Sequence, residues 1–284
     1  MAVPPPPSPD PTRGIPLRDR RILVTGASSG IGEAVARAAA AAGARVALLA
    51  RRADRLAALA EEIGGVPVAA DVTDHAAAVA AVARAAGELG GLDALVNSAG
   101  VTRPGLLSDT DPAAWRRLFD VNVIGLLAVT KAALPHLLAA EAPSVVNVSS
   151  MSGRRVAGPS SGVYAATKFA VHALGEALRM ECQPRGLRVT TVAPGFVRTA
   201  IAVAAGGDAD SDSDGGSDGG SDGGSGKGFR EQLAARLAEE GMDPAEIARA
   251  VLHVLTSPPE VTVVEYAVMP TAQRDHGFLE RENG

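Results

Sequence analysis

From Arg21 onward, short runs of almost unbroken apolar residues alternate with longer stretches in which apolar residues return every three or four positions. The first pattern predicts strands buried on both faces, the second helices with one face turned inward. RILVTG reads as a strand running into a glycine turn, and Ile31 to Ala42 as a helix stopped by Gly43. ARVALLA, VPVAAD, LDALVNSAG, SVVNVSS, LRVTTVAPG and VTVVEYAVMP read as further strands. Helices are predicted over Ala53 to Ile63, Asp74 to Leu89, Asp111 to Leu138 and Gly162 to Cys182, then near Phe229 to Glu240 and Pro244 to Leu255. So regular an alternation implies an α/β fold: one doubly wound parallel sheet of about seven strands with helices on both faces. Ligands of such sheets sit at the carboxyl ends of the strands, near the switch in strand order. Thr25, Asp71, Asn97, Ser150 and Pro194 all fall at or just past predicted strand ends.

Composition sharpens this picture. Hydrophobic residues make up 46% of the 284, enough for a full core, yet aromatic residues are only 3%, so Ala, Val and Leu must fill it. The single cysteine, Cys182, excludes a disulfide framework within the chain and fits a reducing, cytoplasmic setting. Cys182 itself reads as a small buried residue. The formal net charge is −5, and the stretch Gly206 to Gly228 supplies all of it, with six aspartates against Lys227. That stretch repeats GGSD, is nearly free of apolar residues and is expected to be a disordered insert in a surface loop. Residues 1–19, rich in proline, and 274–284 are expected to be tails, which leaves 20–273 as one domain. Nothing forms a basic stripe for nucleic acid, no run of 18 apolar residues lacks charge, and the Pro-rich start, with no basic residues ahead of an apolar run, is not expected to act as a signal peptide. His136, His172 and His253 show no metal-ligand spacing, so no metal is expected.

The turn Thr25-Gly26-Ala27-Ser28-Ser29-Gly30-Ile31-Gly32 follows a strand and opens a helix. Glycines there let the backbone approach a pyrophosphate, which the helix N-terminus attracts through its N–H groups and dipole. The second strand ends in Leu49-Ala50-Arg51-Arg52. Ala50 stands where an NAD site would carry a carboxylate, and Arg51 offers a guanidinium fork for a 2′-phosphate, with Ser28 or Ser29 as further donors. The expected cofactor is NADP(H); the competing reading makes Arg51 and Arg52 solvated charges at a helix start.

Tyr164 and Lys168 stand one helical turn apart in YAATK, fourteen residues after Ser150. An ammonium beside a phenol favours the phenolate, so the Tyr164 hydroxyl is expected to titrate below its ordinary value of about 10. Such a group gives or takes a proton at a substrate oxygen. Hydride reduction of a carbonyl leaves a developing alkoxide, which Ser150 and Tyr164 can stabilise and protonate. Ser150 is preferred over Ser149 because strand neighbours face opposite ways. A mid-helix Asn122 is disfavoured by propensity and needs a reason.

TGASSGIG, NSAG, the lone Asn of DVNVIG, the serines before YAATK, and PGFVRT resemble, in this order and spacing, the short-chain dehydrogenase/reductase family with its Rossmann-like fold. The resemblance runs from about Arg20 to Gln273. It implies that Gly26, Gly30 and Gly32 hold the pyrophosphate, that Asp71 and Val72 flank the adenine, and that Asn97, Ala99 and Gly100 line the cofactor. It implies that Asn122 anchors a proton-relaying water, Ser150 binds the substrate oxygen, Tyr164 is the acid/base and Lys168 also holds the nicotinamide ribose. Pro194, Gly195, Val197 and Thr199 would contact the nicotinamide side. Ser98 departs from the family pattern, which has a second Asn there. The C-terminal part resembles a branch with 3-hydroxy acid (serine-type) dehydrogenases and clavulanate-type aldehyde reductases. A small carbonyl or alcohol substrate follows, and assembly as a homodimer or homotetramer through the Asp111–Leu138 and Gly162–Cys182 helices. Two other readings stay open: a nucleotide-binding regulator without chemistry, and a same-fold epimerase or dehydratase.

Overall fold

A computed structural model describes residues 14–199 and 235–273. Seven strands form one parallel sheet in the order β3-β2-β1-β4-β5-β6-β7. They are β1 Arg21–Thr25, β2 Arg45–Ala50, β3 Val66–Ala69, β4 Ala94–Asn97, β5 Ser144–Val148, β6 Arg188–Pro194 and β7 Glu265–Val268. The helices are α1 Gly30–Ala41, α2 Ala53–Ile63, α3 His75–Leu89, α4 Pro112–Phe119, α5 Leu126–Leu137, α6 Gly162–Cys182 and α7 Pro244–Thr256. A further helical stretch covers 235–240. The chain builds outward from β1 to β3, then crosses back to β4 and continues the other way, so the switch point lies between β1 and β4.

Both faces of the sheet are apolar, and the two-residue strand period divides the core in half. Ile22, Val24, Val46, Leu48, Ala94 and Val96 pack toward α1, α2 and α7. Leu23, Ala47, Leu49 and Leu95 pack toward α3 and α5. With few aromatics, the helices come close through small residues: Gly32, Val35, Ala36 and Ala39 of α1 are buried, as are Ile247, Ala248 and Val251 of the adjacent α7. Asp74, Asp111 and Asp243 each cap a helix by accepting a backbone N–H.

Two expectations change on contact with the structure. Residues 14–19 are not a loose tail: Leu17 is 5% exposed in the core and the Ile15 N–H donates to the Thr256 carbonyl at 2.8 Å. The ordered part therefore starts before Arg20, because that lone leucine has an apolar seat under α7. The predicted Asp111–Leu138 helix is interrupted by a π-helical turn at Asp120–Gly125. By length and composition the run Pro112–Leu137 could cross a bilayer, but half of its apolar window is buried inside the protein, as in a core helix. The insert at 206–228, residues 1–13 and the tail at 274–284 lie outside the described residues.

At the amino end of the sheet, two arginines act as internal staples. Arg20 is 8% exposed and donates to the Asp93 and Ala142 carbonyls at 3.1 and 2.9 Å. Arg188, 5% exposed, donates to the Ser257 carbonyl at 2.9 Å and to Ser144 Oγ at 2.7 Å. Beside them Arg21 forks onto Asp93, with Nη2 to Oδ1 at 2.6 Å and Nε to Oδ2 at 2.9 Å.

Candidate active site

At the opposite, carboxyl end, β1 runs into the glycine turn. Gly26 has φ +68°, and a Cβ there would sit 2.8 Å from the Ala99 amide nitrogen. A Cβ on Gly32 would strike the Gly26 carbonyl. Only hydrogen side chains allow the turn to close this tightly on the loop after β4. That loop is pinned by Thr25, whose Oγ1 accepts the Ser98 and Ala99 N–H groups, both at 3.0 Å. Ser29 precedes α1 but its side chain makes no capping hydrogen bond. The first-turn N–H groups therefore stay available to an anion. Ile31 packs its side chain against the core under α1.

The two arginines after β2 part company. Arg52 reaches over the turn and donates to Ser28 Oγ at 2.9 Å and Ser29 Oγ at 2.8 Å. Arg51 is exposed and lies near Asp71, whose carboxyl it helps to stabilise. Asp71 accepts from the Thr73 amide at 2.9 Å and hydroxyl at 2.8 Å, and Arg117 stands 3.8 Å away. Burial opposes ionisation of Asp71 most strongly, but these partners together hold it below the usual carboxylate range. Val72, 8% exposed, packs against Gly125 of the π turn.

Asn97 is placed differently from expectation. Its side chain points inward, 3% exposed, and donates to Thr130 Oγ1 and Asn147 Oδ1, each at 2.9 Å. Asn97 and Asn147 are register partners on β4 and β5, which explains the contact. Any part Asn97 plays toward a cofactor rests on its backbone. Asn122 finds its reason in the π turn, a form that recurs at functional sites. It is 1% exposed. It accepts the Val101 N–H at 2.8 Å and donates to the Val101 carbonyl at 2.9 Å and to Thr167 Oγ1 at 3.1 Å.

Ser150, Tyr164 and Lys168 converge next to this asparagine. Ser149 turns into the interior and donates to the Lys168 carbonyl at 3.2 Å. Ser150 faces the other way, and its hydroxyl accepts the Ser152 N–H at 3.1 Å and interacts with the Tyr164 hydroxyl. Lys168 is 6% exposed, and its ammonium donates to the Val148 carbonyl at 3.1 Å. It stands 5.8 Å from the centre of the Tyr164 ring. A Cβ on Gly100 would lie 3.6 Å from Lys168 Nζ and 3.3 Å from Asn122 Oδ1, so that glycine opens the space between them.

The electrostatics correct one expectation. Burial pushes the Tyr164 phenol up, and the group that pulls it down is Ser150, not Lys168. Tyr164 as a whole is half-buried, but its hydroxyl is the enclosed part. Desolvation also drives Lys168 down to about 8. Buried together, the phenol and the ammonium each favour their neutral forms, and that outweighs the mutual attraction the spacing promised.

The loop after β6 closes the site. Gly195 N–H donates to the Val268 carbonyl at 2.7 Å, and Val197, 6% exposed, bridges to Met242. The Thr199 side chain lies over Gly30. Pro194 ends β6. Gln273, which sequence reasoning passed over, reaches back from beyond β7, and its Oε1 accepts the Phe196 N–H at 2.8 Å. No motif marks it; proximity to Gly195 exists only in the folded chain. Thr167 was likewise missed, although it lies inside YAATK.

The short chain dehydrogenase family model matches residues 20–209. The chain belongs to the short chain dehydrogenase family. It is 35% identical to an uncharacterized oxidoreductase of Staphylococcus aureus over 89% of this chain and 98% of that protein. It is 38% identical to the glycine betaine reductase ATRR of Emericella nidulans over 90% of this chain, which spans only 19% of that longer protein. Among solved structures, a Burkholderia cenocepacia short chain dehydrogenase in complex with NADP matches at TM-score 0.73 and 29% identity, over 91% of this chain and 99% of that one. An alcohol dehydrogenase from Thermococcus sibiricus complexed with 5-hydroxy-NADP matches at TM-score 0.74 and 26% identity, over 90% and 98%. The parallel seven-stranded sheet with helices on both sides is thus the Rossmann-like fold of this oxidoreductase family.

Proposed function

We propose that the protein is an NADP(H)-dependent oxidoreductase that interconverts a carbonyl and an alcohol, with Tyr164 as the acid/base. The observation that carries this reading is the meeting of the Ser150 and Tyr164 hydroxyls, backed by the buried Lys168 ammonium, beside the uncapped glycine turn. The residues present fit a dinucleotide. Gly26 and Gly32 have no room for a Cβ, and the first turn of α1 offers unclaimed N–H groups to a pyrophosphate. Ser28, Ser29 and Gly30 complete that cradle; Val72, Ala99, Gly100, Pro194, Gly195, Val197 and Thr199 wall it. Ala50 leaves no carboxylate for a ribose 2′-hydroxyl, and Arg51 and Arg52 bring positive charge to that place. When bound, the nicotinamide supplies the hydride chemistry.

The chain's own residues do the rest. Ser150 donates a hydrogen bond to the substrate oxygen, where charge develops. Tyr164, protonated at neutral pH like any phenol and pushed further that way by burial, delivers the proton in the direction of reduction. Lys168 holds positive charge behind the phenol and favours the phenolate that this transfer leaves. Asn122 fixes the Val101 segment at the mouth and keeps an Oδ1 lone pair for a water on the way to Lys168. The same reading includes a homodimer or homotetramer: Phe119, Ile124, Leu127 and Phe169 are exposed apolar residues on the helices expected to pair.

The test is a screen of small carbonyls and alcohols for NADPH oxidation or NADP reduction, with kcat/KM compared between the two nicotinamide cofactors. Turnover preferring NADP(H) is expected. Silence across the screen together with tight NADPH binding would replace the enzyme by a nucleotide-binding regulator. Equal or better use of NADH would remove the assignment of Arg51 and Arg52.

A further inference from the structure

Tyr164, Lys168 and His172 follow one another at four-residue steps along a single face of α6. The third of these is not used by the chemistry above, yet it touches the turn that carries Ser150. A Cβ placed on Gly153 would lie 2.7 Å from His172 Cδ2 and 2.8 Å from its Nε2, and 2.7 Å from the Lys168 carbonyl. The turn Met151–Gly153 therefore rests directly on the imidazole and on the backbone of α6. On its other side, His172 Nδ1 is 3.9 Å from Glu265 Oε1 of β7. The same carboxylate oxygen is held by Arg154 Nε at 3.2 Å, one residue past the turn. His172 Nε2 is buried outside good hydrogen-bond geometry, and the Ser150 backbone is the polar group the ring interacts with. An aliphatic side chain would fill that space without burying a poorly matched nitrogen, so packing alone does not account for the imidazole.

We propose that His172 is a positioning residue: wedged between the Ser150 turn and Glu265, its ring sets where the Ser150 hydroxyl stands relative to Tyr164. The inference rests on the roles given to Ser150 and Tyr164 above. The wedge works with a neutral ring. Burial is the largest influence and keeps the imidazole below its ordinary 6.5, with Arg154 and Lys168 acting in the same direction; Glu265 and the Ser150 backbone oppose them. Protonation on the acid side of 6.5 sets the ring in competition with Arg154 for Glu265, and the turn shifts with Arg154.

The experiment compares His172→Ala and His172→Phe in the full chain, using carbonyl reduction by NADPH. This direction is chosen because Tyr164 needs to be protonated for it, so Tyr164 contributes no acid-side loss. His172→Ala is expected to lose about tenfold in kcat with KM for NADPH within about twofold, as misplacement of a reacting group costs. His172→Phe keeps a ring under Gly153 and restores most of the turnover at neutral pH. It is also expected to lack the fall in kcat that the proposal predicts for the wild type on the acid side of pH 6.5. Wild-type kcat in His172→Ala, or an acid-side fall that persists in His172→Phe, overturns the proposal. Should the alanine variant fail to fold, the pH profile of the phenylalanine variant decides alone. Ser150→Ala serves as the control. If it is nearly inactive while His172→Ala is normal, this inference alone fails; if Ser150→Ala turns over normally, the reading beneath it fails.

Discussion

Arg188 and Lys168 are cations buried at opposite ends of the same sheet, and the protein treats them differently. Burial depresses both, Arg188 to about 10 and Lys168 to about 8. Arg188 uses its two terminal nitrogens on the Ser257 carbonyl and Ser144 Oγ, tying α7 and β5 to β6, while its Nε is buried without a partner. Lys168 has three N–H bonds and a single acceptor among the described residues, the Val148 carbonyl. Arg20 repeats the first pattern with two carbonyls. The amino end thus converts buried charge into connections between elements. The carboxyl end instead keeps a buried ammonium that ties no two elements together through a second acceptor, a cost in stability that a ligand or a reaction offsets. The same contrast appears in small groups: Ser144 is consumed by Arg188, whereas Ser150 faces Tyr164 across the site.

Replacing each cation in turn tests that contrast. Lys168→Met should lower kcat by about 100-fold or more, the usual worth of a group that assists proton transfer. It should also make the folded protein more stable at pH 7.5, because burying the ammonium costs up to about 3 kcal/mol for a depression from 10.5 to about 8. The sign follows from proton uptake. Between pH 8 and 10.5 the unfolded chain holds a proton on this lysine that the folded chain does not, so wild-type stability gains as pH rises through that window. The advantage of the methionine variant therefore shrinks toward pH 10.5, which denaturant titrations at several pH values would show. A variant less stable than the wild type at pH 7.5 would break the contrast.

Arg188→Met should do the reverse. It strands the Ser257 carbonyl and Ser144 Oγ in the interior and should destabilise by about 2 kcal/mol, with kcat of the folded fraction unchanged. A smaller effect is expected at the cofactor end. Arg52→Ala frees Ser28 and Ser29 and should raise KM for NADPH about tenfold while leaving KM for NADH within about twofold. Smallest is Asn147→Ala, which removes one of the two acceptors of the inward-facing Asn97 and should cost about 1 kcal/mol of stability without changing kcat.

Much of this was legible along the chain because strand and helix periods are local. The ends of β1, β4, β5 and β6, and with them Thr25, Asn97, Ser150 and Pro194, follow from where apolar runs stop. Asn122, Ser150, Tyr164 and Lys168 do meet, because a motif carries its own spacing. What stayed hidden depends on partners far away in sequence. Asn97 turns inward because β4 pairs with β5 in a register that sets Asn147 beside it. Leu17 is core because α7 ends above it, and Gln273 reaches Phe196 across 77 residues. The direction in which Tyr164 titrates was misjudged for the same reason: spacing reports a neighbour's charge, whereas burial is a property of the assembled fold.

The central claim is that the Tyr164 hydroxyl moves the proton while the surrounding residues bind and orient. Its most direct test is Tyr164→Phe, with kcat and NADPH affinity measured on the same preparation. The account predicts that kcat falls at least ~100-fold while the dissociation constant for NADPH changes by less than about threefold. Turnover close to wild type with the phenol removed would contradict it.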